Sequence, residues 1–223
     1  MEERYERNMP ALSKAECDIL HGKRIAVIGC GGLGGFIIEL LARVGVGFIK
    51  CVDGDVFEES NLNRQLLSKT DTLGKSKAET AKQRVFDINP DVSVEAVCEF
   101  LSEDNAREIV CGCDAVFDAL DNIAARRVLA KACKEEKVPL IYGAIGGWTA
   151  QAAIILPDSN ALEILYPDGA EVKSKTALSF TPAFCASLQV SLGVKLLVGR
   201  EVQADRLYYF DLLELDTEEI IIG

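Results

Sequence analysis

The chain of 223 residues is poor in histidine and has few basic side chains for its number of acidic ones. Its single histidine is His21, and none of its eight cysteines forms a C-x-x-C pair. Because tetrahedral zinc sites usually draw on such pairs, we expect no structural zinc. Lys and Arg total 24 against 35 Asp and Glu, a formal charge of −11, which disfavours a nucleic-acid partner.

The sequence also has no long apolar run without a charge, because Glu39, Arg43 and Lys195 interrupt the best candidates for a membrane span. The N-terminus, MEERYERNMP, is charged and has no apolar segment of the signal-peptide kind. We therefore expect a cytoplasmic protein without a membrane partner. Apolar residues make up 49% of the chain, and its length suits one domain over residues 1–223.

Short β-branched runs alternate with helical patterns between residues 23 and 143. The predicted strands are 23–28, 47–52, 92–97, 115–119 and 139–142, and the predicted helices are 36–44, 75–87, 103–110 and 122–136. Continuous apolar strands joined by helices indicate a parallel sheet covered on both faces. This pattern predicts an α/β fold with a Rossmann-like, doubly wound and mostly parallel sheet. Residues 1–22 would form an N-terminal arm and helix, and residues 23–143 a nucleotide-binding half.

The pattern changes after residue 143, and residues 144–223 are predicted to extend the sheet. Antiparallel strands are expected at 148–156, 207–210 and 219–222, with an apolar helix at 183–198. Residues 157–181 form a polar stretch in which only 162–166 indicates order. Loops of that length are usually functional in a compact domain, so we expect the part from about 167 to 181 to cross over the active site.

A glycine motif joins the first predicted strand to the helix that follows it. Gly29, Gly31 and Gly34 fit the pattern G-x-G-x-x-G, with Gly32 beside them. The missing side chains let the backbone approach a phosphate, and the helix N-terminus supplies N–H donors. Asp53 ends the second strand, where a carboxylate can bind a ribose hydroxyl. These features predict a nucleotide site, and an NAD-dependent oxidoreductase would share them.

The residues after Asp53 distinguish between nucleotides. Parallel strand ends meet at one edge of a sheet, so polar groups that follow different strands gather there. An arginine, a lysine and a carboxylate able to hold Mg²⁺ would suit a triphosphate better than hydride transfer. Asp118 and Asp121 are alternatives for that carboxylate. The polar residues at this edge are Asp55, Ser60, Asn61, Arg64, Gln65, Lys77, Asp121 and Asn122.

Five segments carry a resemblance to a known family: Gly29-Cys-Gly-Gly-Leu-Gly34, Asp53-Gly-Asp55, Ser60-Asn-Leu-Asn-Arg-Gln65, Lys77 and Asp121-Asn122. Together they resemble the MoeB/ThiF/HesA proteins, bacterial relatives of the ubiquitin-activating enzymes. The resemblance runs from Arg4-Tyr5-Glu6-Arg7 to the last strands. It implies ATP-dependent adenylation of the C-terminal glycine of a small ubiquitin-like sulfur-carrier protein, with release of pyrophosphate. Thiamine, molybdopterin and cysteine synthesis are the pathways considered for such a carrier.

The resemblance also implies roles for single residues, with ATP and Mg²⁺ as cofactors. Asp121 would hold Mg²⁺, and Arg7 matches an arginine that reaches into the partner subunit's site, so a homodimer is implied. The implied catalytic residues are Arg64, Lys77, Asp121 and Arg7. The implied binding residues are Gly29, Gly31, Gly32, Gly34, Asp53, Asp55, Ser60, Asn61, Arg64, Gln65, Lys77 and Asn122.

The chain departs from the family pattern in its cysteines. The paired zinc ligands of many members are missing, and residues 157–182 contain no cysteine for sulfur or thioester chemistry. Cys185 follows that stretch, either as a nucleophile near a helix N-terminus or as a core residue, and its apolar neighbours favour the core. We therefore expect this protein to adenylate a carrier ending in Gly-Gly and to leave sulfur delivery to another protein. The segment 167–181 would be poorly ordered until the carrier tail binds.

A superfamily alternative, activation of a tRNA base with ATP, is disfavoured by the net charge.

Overall fold

The computed structural model describes residues 3–170 and 176–223. It contains eight strands in the described part of the chain: β1 Arg24–Ile28, β2 Phe48–Val52, β3 Ser93–Val97, β4 Ala115–Asp118, β5 Leu140–Gly146, β6 Thr149–Ile155, β7 Arg206–Asp211 and β8 Asp216–Ile221. They form one sheet in the order β3-β2-β1-β4-β5-β6-β7-β8. Pairing is parallel from β3 to β5 and antiparallel from β5 to β8.

Helices connect these strands and cover both faces of the sheet. They are α1 Lys14–His21, α2 Gly32–Val44, α3 Lys77–Ile88, α4 Ala106–Val110, α5 Ile123–Glu136, α6 Ala161–Leu165 and α7 Phe180–Leu197, with 3-10 helices at Glu3–Asn8 and Glu59–Asn61. Apolar residues of α2, α3 and α7 belong to one core, whereas those of α4 and α5 belong to a second.

Strand β1 shows how the sequence pattern produces two cores. Ile25 and Val27 belong to the core that contains α2 and α7, whereas Ala26 and Ile28 belong to the core that contains α5. Successive side chains of a strand point to opposite faces, so a strand buried on both faces has no polar position. The predicted fold class, a doubly wound and mostly parallel sheet extended by antiparallel strands, is confirmed.

Several boundaries differ from the sequence-based expectation, and two of the differences bear on the site. Helix α2 begins at Gly32, ahead of the predicted start at residue 36, because the glycine motif itself forms the first helical turn: the Gly35 N–H donates to the Gly31 carbonyl at 3.1 Å. The expected division after residue 143 falls inside β5, which pairs with β4 on one side and β6 on the other. The two expected parts of the chain therefore share a strand.

The segment expected to cross the active site is described only in part. Residues 171–175 lie outside the described residues, so the expectation of poor order there is not tested. On one side of them, Arg127 donates to the carbonyls of Tyr166 and Pro167 at 2.9 and 3.0 Å. On the other, the Gly147 N–H donates to the Thr176 carbonyl at 2.8 Å. Both described limbs are thus bound to the body of the protein.

Helix α7 is long and apolar enough, by length and composition, to cross a membrane, with a mean hydropathy of 1.3. Half of the helix is buried within the fold, where it contacts α2, β5 and β6. The central helix of a globular core passes the same test, and the burial of α7 fits that explanation.

The glycine turn packs the start of α2 so closely against the end of β1 that there is no room for a side chain at Gly34. A Cβ atom built on Gly34 would lie 1.7 Å from the carbonyl oxygen of Gly29. Gly29 has a φ of 96°, in the region that favours glycine, and a Cβ there would lie 2.7 Å from the Ala119 carbonyl oxygen. The backbone of the turn and the end of β4 are therefore in direct contact.

We expect Gly34→Ala to lower the free energy of unfolding by at least about 2 kcal/mol, because the methyl group overlaps backbone that cannot move aside. Urea denaturation followed by circular dichroism measures the change. Gly22→Ala is the matched control, since Gly22 has a right-handed conformation and its nearest neighbour to a Cβ is at 3.4 Å. Equal unfolding midpoints for the two variants would contradict the close packing at Gly34.

Candidate active site

A cavity of about 510 Å³ opens at the carboxyl ends of the central parallel strands. It lies where the strand order reverses, between β1 and β4, because α2 leaves β1 on one face of the sheet and α5 follows β4 on the other. Open α/β sheets bind ligands at such switch points. Ten of the predicted site residues line this cavity: Gly29, Gly31, Gly32, Asp53, Asp55, Arg64, Gln65, Lys77, Asp121 and Asn122.

The four glycines of the turn divide between two functions. Gly29 and Gly34 allow the close packing described above, and Gly34 is not among the lining residues. Gly31 and Gly32 face the cavity; the nearest neighbour of a Cβ on Gly32 would be Pro182 at 3.7 Å. Among the described residues no side chain caps the N-terminus of α2, so the N–H groups of its first turn can bind an anion.

Asp53 is held in place by the backbone on both sides of it. One carboxylate oxygen accepts from the Cys30 N–H at 2.7 Å, and the other accepts from the Asp55 N–H at 2.9 Å. Each oxygen keeps a second lone pair for a ligand hydroxyl. The carboxylate expected to bind a ribose is therefore fixed relative to the glycine turn expected to bind phosphate.

Lys77 is a buried cation at the first position of α3. Its ammonium donates to Asp55 at 2.6 Å, and that hydrogen bond lowers the pKa of Asp55. The Lys77 side chain is 7% exposed, whereas that of Asp55 is 48% exposed. The Asp55 carboxylate is thus only partly shielded from water. A bound phosphate could therefore replace Asp55 as the partner of Lys77, or share Lys77 with it.

Arg64 is positioned by the 3-10 helix that precedes it. Its Nη1 donates to the Ser60 carbonyl at 2.9 Å and to Asn63 Oδ1 at 2.8 Å. The Asn61 side chain accepts from the Glu58 N–H at 3.0 Å and so fixes the loop. Ser60 and Asn61 are not among the residues that line the cavity, and their direct contact with phosphate stays a prediction.

The two candidate metal carboxylates differ completely in environment. Asp118 is fully buried and accepts from Arg126 Nη1 at 2.9 Å, with the Leu120 N–H on its other oxygen at 2.9 Å. Asp121 is exposed and lines the cavity. Of the two, Asp121 is the one that a metal bound with a ligand in the cavity could reach.

A Mg²⁺ ion bound together with ATP fits this donor set. Within residues 3–170 and 176–223, no three His, Cys, Asp or Glu side chains are grouped to hold a metal by themselves. Magnesium usually takes one or two protein carboxylates and completes its octahedron with phosphate oxygens and water. Asp121, next to a turn built for phosphate, supplies what that arrangement needs.

Arg126 is a site residue that the sequence reasoning missed. It lines the cavity while being 5% exposed, and its guanidinium also donates to the Gly143 carbonyl at 2.9 Å. Burial alone would lower the pKa of Arg126, but the combined electrostatic effect of its neighbours, with Asp118 the strongest of them, raises it. The signal in the sequence was its position in the first helical turn after Asn122, which faces the strand ends.

Aromatic and small residues complete the lining. Phe100 is 70% exposed, and its ring packs against Gly54. A Cβ atom built on Gly54 would lie 2.7 Å from that ring. Tyr166 lies on the far side of the cavity, with its hydroxyl 2.7 Å from that of Tyr142. Phe100 and Tyr166 lie outside the sequence motifs of the site, so no local pattern indicated that they line the cavity.

Cys185 lies in the core, as its apolar neighbours predicted. It is fully buried on α7, and its thiol faces the carbonyl of Gln151 at 3.4 Å. Burial raises the pKa of Cys185 to about 12. At neutral pH the group is a thiol, which is a poor nucleophile.

Arg7 lies far from the cavity of its own chain. It is exposed on the 3-10 helix Glu3–Asn8, where Asn8 donates to the Val44 carbonyl at the C-terminal end of α2 at 3.2 Å. The cavity lies at the N-terminal end of this helix of 13 residues, about 20 Å away at 1.5 Å per residue. Within its own chain, Arg7 is therefore too distant to contact a ligand in the cavity.

The fold and the cavity define a nucleotide-binding α/β protein of the Rossmann-like kind. Among known proteins, the family model described as "ThiF family" matches residues 5–222. The chain belongs to the ThiF family, as its motifs had indicated, and it is an enzyme of the adenylyltransferase kind.

Three curated relatives illustrate the range of the similarity. The SAMP-activating enzyme E1 of Haloferax volcanii is 37% identical over 208 residues, 90% of this chain and 77% of the relative. The sulfur carrier protein ThiS adenylyltransferase of Escherichia coli is 32% identical over 84% of this chain and 77% of its own. A tRNA threonylcarbamoyladenosine dehydratase of Haemophilus influenzae is 38% identical over 62% of this chain and 54% of its own.

A solved structure shows the same fold at lower identity. Escherichia coli MccB, crystallised with ATP, superimposes with a TM-score of 0.85 over 100% of this chain and 72% of its own. The two sequences are 20% identical, so this likeness concerns the fold alone.

We expect iodoacetamide at pH 8 to modify the exposed Cys98 and Cys111 of the native protein and to leave Cys185 unmodified, because burial keeps Cys185 protonated and inaccessible. Mass spectrometry of peptides identifies the modified residues. The same treatment in urea is the control and should modify all three. Modification of native Cys185 as fast as Cys98 would contradict its core position.

We expect Arg126→Leu to lower the free energy of unfolding by about 3–5 kcal/mol, because it leaves the buried Asp118 carboxylate without its partner. Lys131→Leu is the matched control, an exposed cation on the same helix, and should change stability by less than about 0.5 kcal/mol. Urea denaturation compares the two. A small effect in both variants would show that the Asp118–Arg126 pair does not stabilise the fold.

Proposed function

We propose that this protein binds ATP with Mg²⁺ and adenylates the C-terminal glycine of a small ubiquitin-like sulfur-carrier protein, releasing pyrophosphate. One observation carries the proposal: Arg64, Lys77 and Asp121 line the same cavity as the glycine turn. The names of two relatives, a SAMP-activating E1 and a ThiS adenylyltransferase, support a carrier protein as the substrate.

The reaction requires two anions to meet. An oxygen of the tail carboxylate attacks the α-phosphorus of ATP, and the bond from that phosphorus to the oxygen bridging to the β-phosphate breaks. The electron pair leaves with pyrophosphate. Positioning and charge neutralisation dominate the barrier for such a step, because the protein forms no covalent bond.

The residues of the cavity divide this work. Backbone N–H groups at Gly31 and Gly32 bind phosphate oxygens, and Asp53 accepts from the ribose. Arg64 and Lys77 neutralise the charge that develops on the pyrophosphate leaving group. A Mg²⁺ ion held by Asp121, when bound, would neutralise further phosphate charge and help to hold the triphosphate in one geometry.

The other half of the cavity suits a tail of two glycines. It is lined by Ala144, Ile145 and Gly146 of β5, Thr149 and Gln151 of β6, and Ala177 of the crossing segment. The larger side chains among these narrow the channel, and a glycine tail has no side chain to clash with them. The tail carboxylate would reach the α-phosphate from this side.

Arg7 and oligomeric state belong to the same proposal. Because Arg7 is exposed and distant from the cavity of its own chain, we propose a homodimer in which it reaches the partner's site.

We assign the whole chain, 1–223, to one adenylation domain and place it in the cytoplasm, where ATP is abundant. All eight cysteines are free in the structure, as expected for a reducing compartment.

A tRNA base is the second candidate substrate, since one relative is named as a tRNA threonylcarbamoyladenosine dehydratase. That similarity covers 62% of this chain, less than the carrier-activating relatives, and the formal charge of −11 opposes a polyanion. Pyrophosphate–ATP exchange stimulated by a Gly-Gly-ending carrier but not by tRNA would favour our proposal, and the reverse result would refute it.

We expect Lys77→Ala and Asp121→Ala each to reduce pyrophosphate–ATP exchange at least about a hundredfold, because each removes charge stabilisation from the transition state. Lys75→Ala is the matched control: Lys75 is exposed two residues away and does not line the cavity. Thermal shifts with ATP–Mg²⁺ and with NAD check the nucleotide. Exchange like wild type in either variant removes that residue from the mechanism, and protection by NAD instead of ATP refutes the proposal.

A further inference from the structure

The side-chain amide of Asn63 joins the two sides of the cavity. Its Oδ1 accepts from Arg64 Nη1 at 2.8 Å, and its Nδ2 donates to the Ala177 carbonyl at 3.3 Å. Arg64 and Ala177 both line the cavity, whereas Asn63 itself does not. Asn63 thus lies between the arginine on the phosphate side and the segment that covers the tail channel.

The amide of Asn63 satisfies both of these contacts because it carries an acceptor and a donor. A guanidinium has donors and no acceptor, so the atom of residue 63 that faces it must be an oxygen. A backbone carbonyl has acceptors and no donor, so the atom that faces Ala177 must carry hydrogen. The two neighbours therefore fix which way the Asn63 amide points, and a carboxylate could satisfy Arg64 alone.

Ala177 belongs to residues 176–181, which we term the roof segment. The roof segment is tied to the turn between β5 and β6: the Gly147 N–H donates to the Thr176 carbonyl, and Thr181 Oγ1 donates to the Gly147 carbonyl, both at 2.8 Å. Asn63 adds a tie to the loop that carries Arg64. The roof segment is therefore held from the tail side and from the phosphate side of the cavity.

Arg64 can bind a phosphate without releasing Asn63. Its side-chain hydrogen bonds to other described residues, the Ser60 carbonyl and Asn63, both use Nη1. A guanidinium has five N–H donors in a rigid plane, so Nε and Nη2 remain for the ligand. A phosphate that fixes this plane would also fix the amide of Asn63, and through it the carbonyl of Ala177.

We propose that Asn63 is a positioning residue that couples ATP binding at Arg64 to closure of the roof segment over the tail channel. The inference rests on the proposed function, since it takes ATP as the ligand of the cavity. Coupling between two sites is reciprocal, so ATP raises the affinity of the channel for a tail by the factor by which the tail raises the affinity for ATP. The nucleophile would then be enclosed chiefly when ATP is present.

Hydrogen–deuterium exchange with ATP and Mg²⁺ as the probe tests this coupling without a carrier. In the wild type we expect ATP to slow exchange in peptides covering residues 29–35 and in peptides covering the roof segment. In Asn63→Ala the protection of 29–35 should remain, and the ATP-dependent protection of the roof segment should fall about fivefold, the loss expected for one neutral hydrogen bond.

Two further variants separate coupling from simple support of the loop. Asn63→Asp keeps the contact with Arg64 but cannot donate to Ala177, so it should lose the roof protection as Asn63→Ala does. Leu62→Ala, an exposed neighbour in the same loop, should behave as the wild type. A merely structural role of Asn63 would change roof exchange equally with and without ATP, and that outcome overturns the proposal.

The outcomes also distinguish this inference from the proposed function. If ATP protects 29–35 but not the roof segment of the wild type, the coupling is refuted and nucleotide binding stands. If Asn63→Ala keeps the ATP-dependent roof protection, Asn63 is not the link. If ATP protects neither segment and supports no pyrophosphate exchange, the proposed function fails and the coupling fails with it.

Discussion

The carbonyl oxygen of Gly29 occupies the place where any side chain at position 34 would begin. This contact seats the first turn of α2 against the end of β1, and the cavity depends on it. It leaves the N–H groups of α2 uncovered by side chains and directs them at the crevice between β1 and β4. A helix dipole and its free donors then favour an anion at that point.

Two ion pairs near this crevice differ in what their burial allows. Asp118 and Arg126 are both almost fully buried, and Arg126 also donates to the Gly143 carbonyl, so this pair joins the end of β4 to the middle of β5. Removing one member leaves an uncompensated charge, which makes the pair a part of the framework. In the pair of Lys77 and Asp55, the carboxylate is half-exposed. A phosphate in the cavity can therefore compete with Asp55 for Lys77.

Much of the site could be predicted because its residues lie next to strand ends. Asp53 directly follows β2, and Asp121 lies in the turn after β4, so the parallel topology brings them to one edge of the sheet without any knowledge of side-chain packing. Arg126 escaped prediction because a charged residue in a helix is usually solvated, and only the packing of α5 shows that this one is buried. Ser60 and Asn61 belong to the same motif but are not among the residues that line the cavity, so their contact with phosphate stays a prediction.

The sequence by itself determined the alternation of strands and helices, the glycine turn and the family, because these depend on local periodicity and on spacing along the chain. It also favoured a core position for Cys185, whose neighbours are apolar. The tertiary structure buried Asp118, left Asp121 exposed at the cavity, placed the 3-10 helix that carries Arg7 beside the C-terminal end of α2, and brought Asn63 between Arg64 and Ala177. Each of these depends on contacts between residues distant in the chain, and local pattern carries no information about how such segments meet in space.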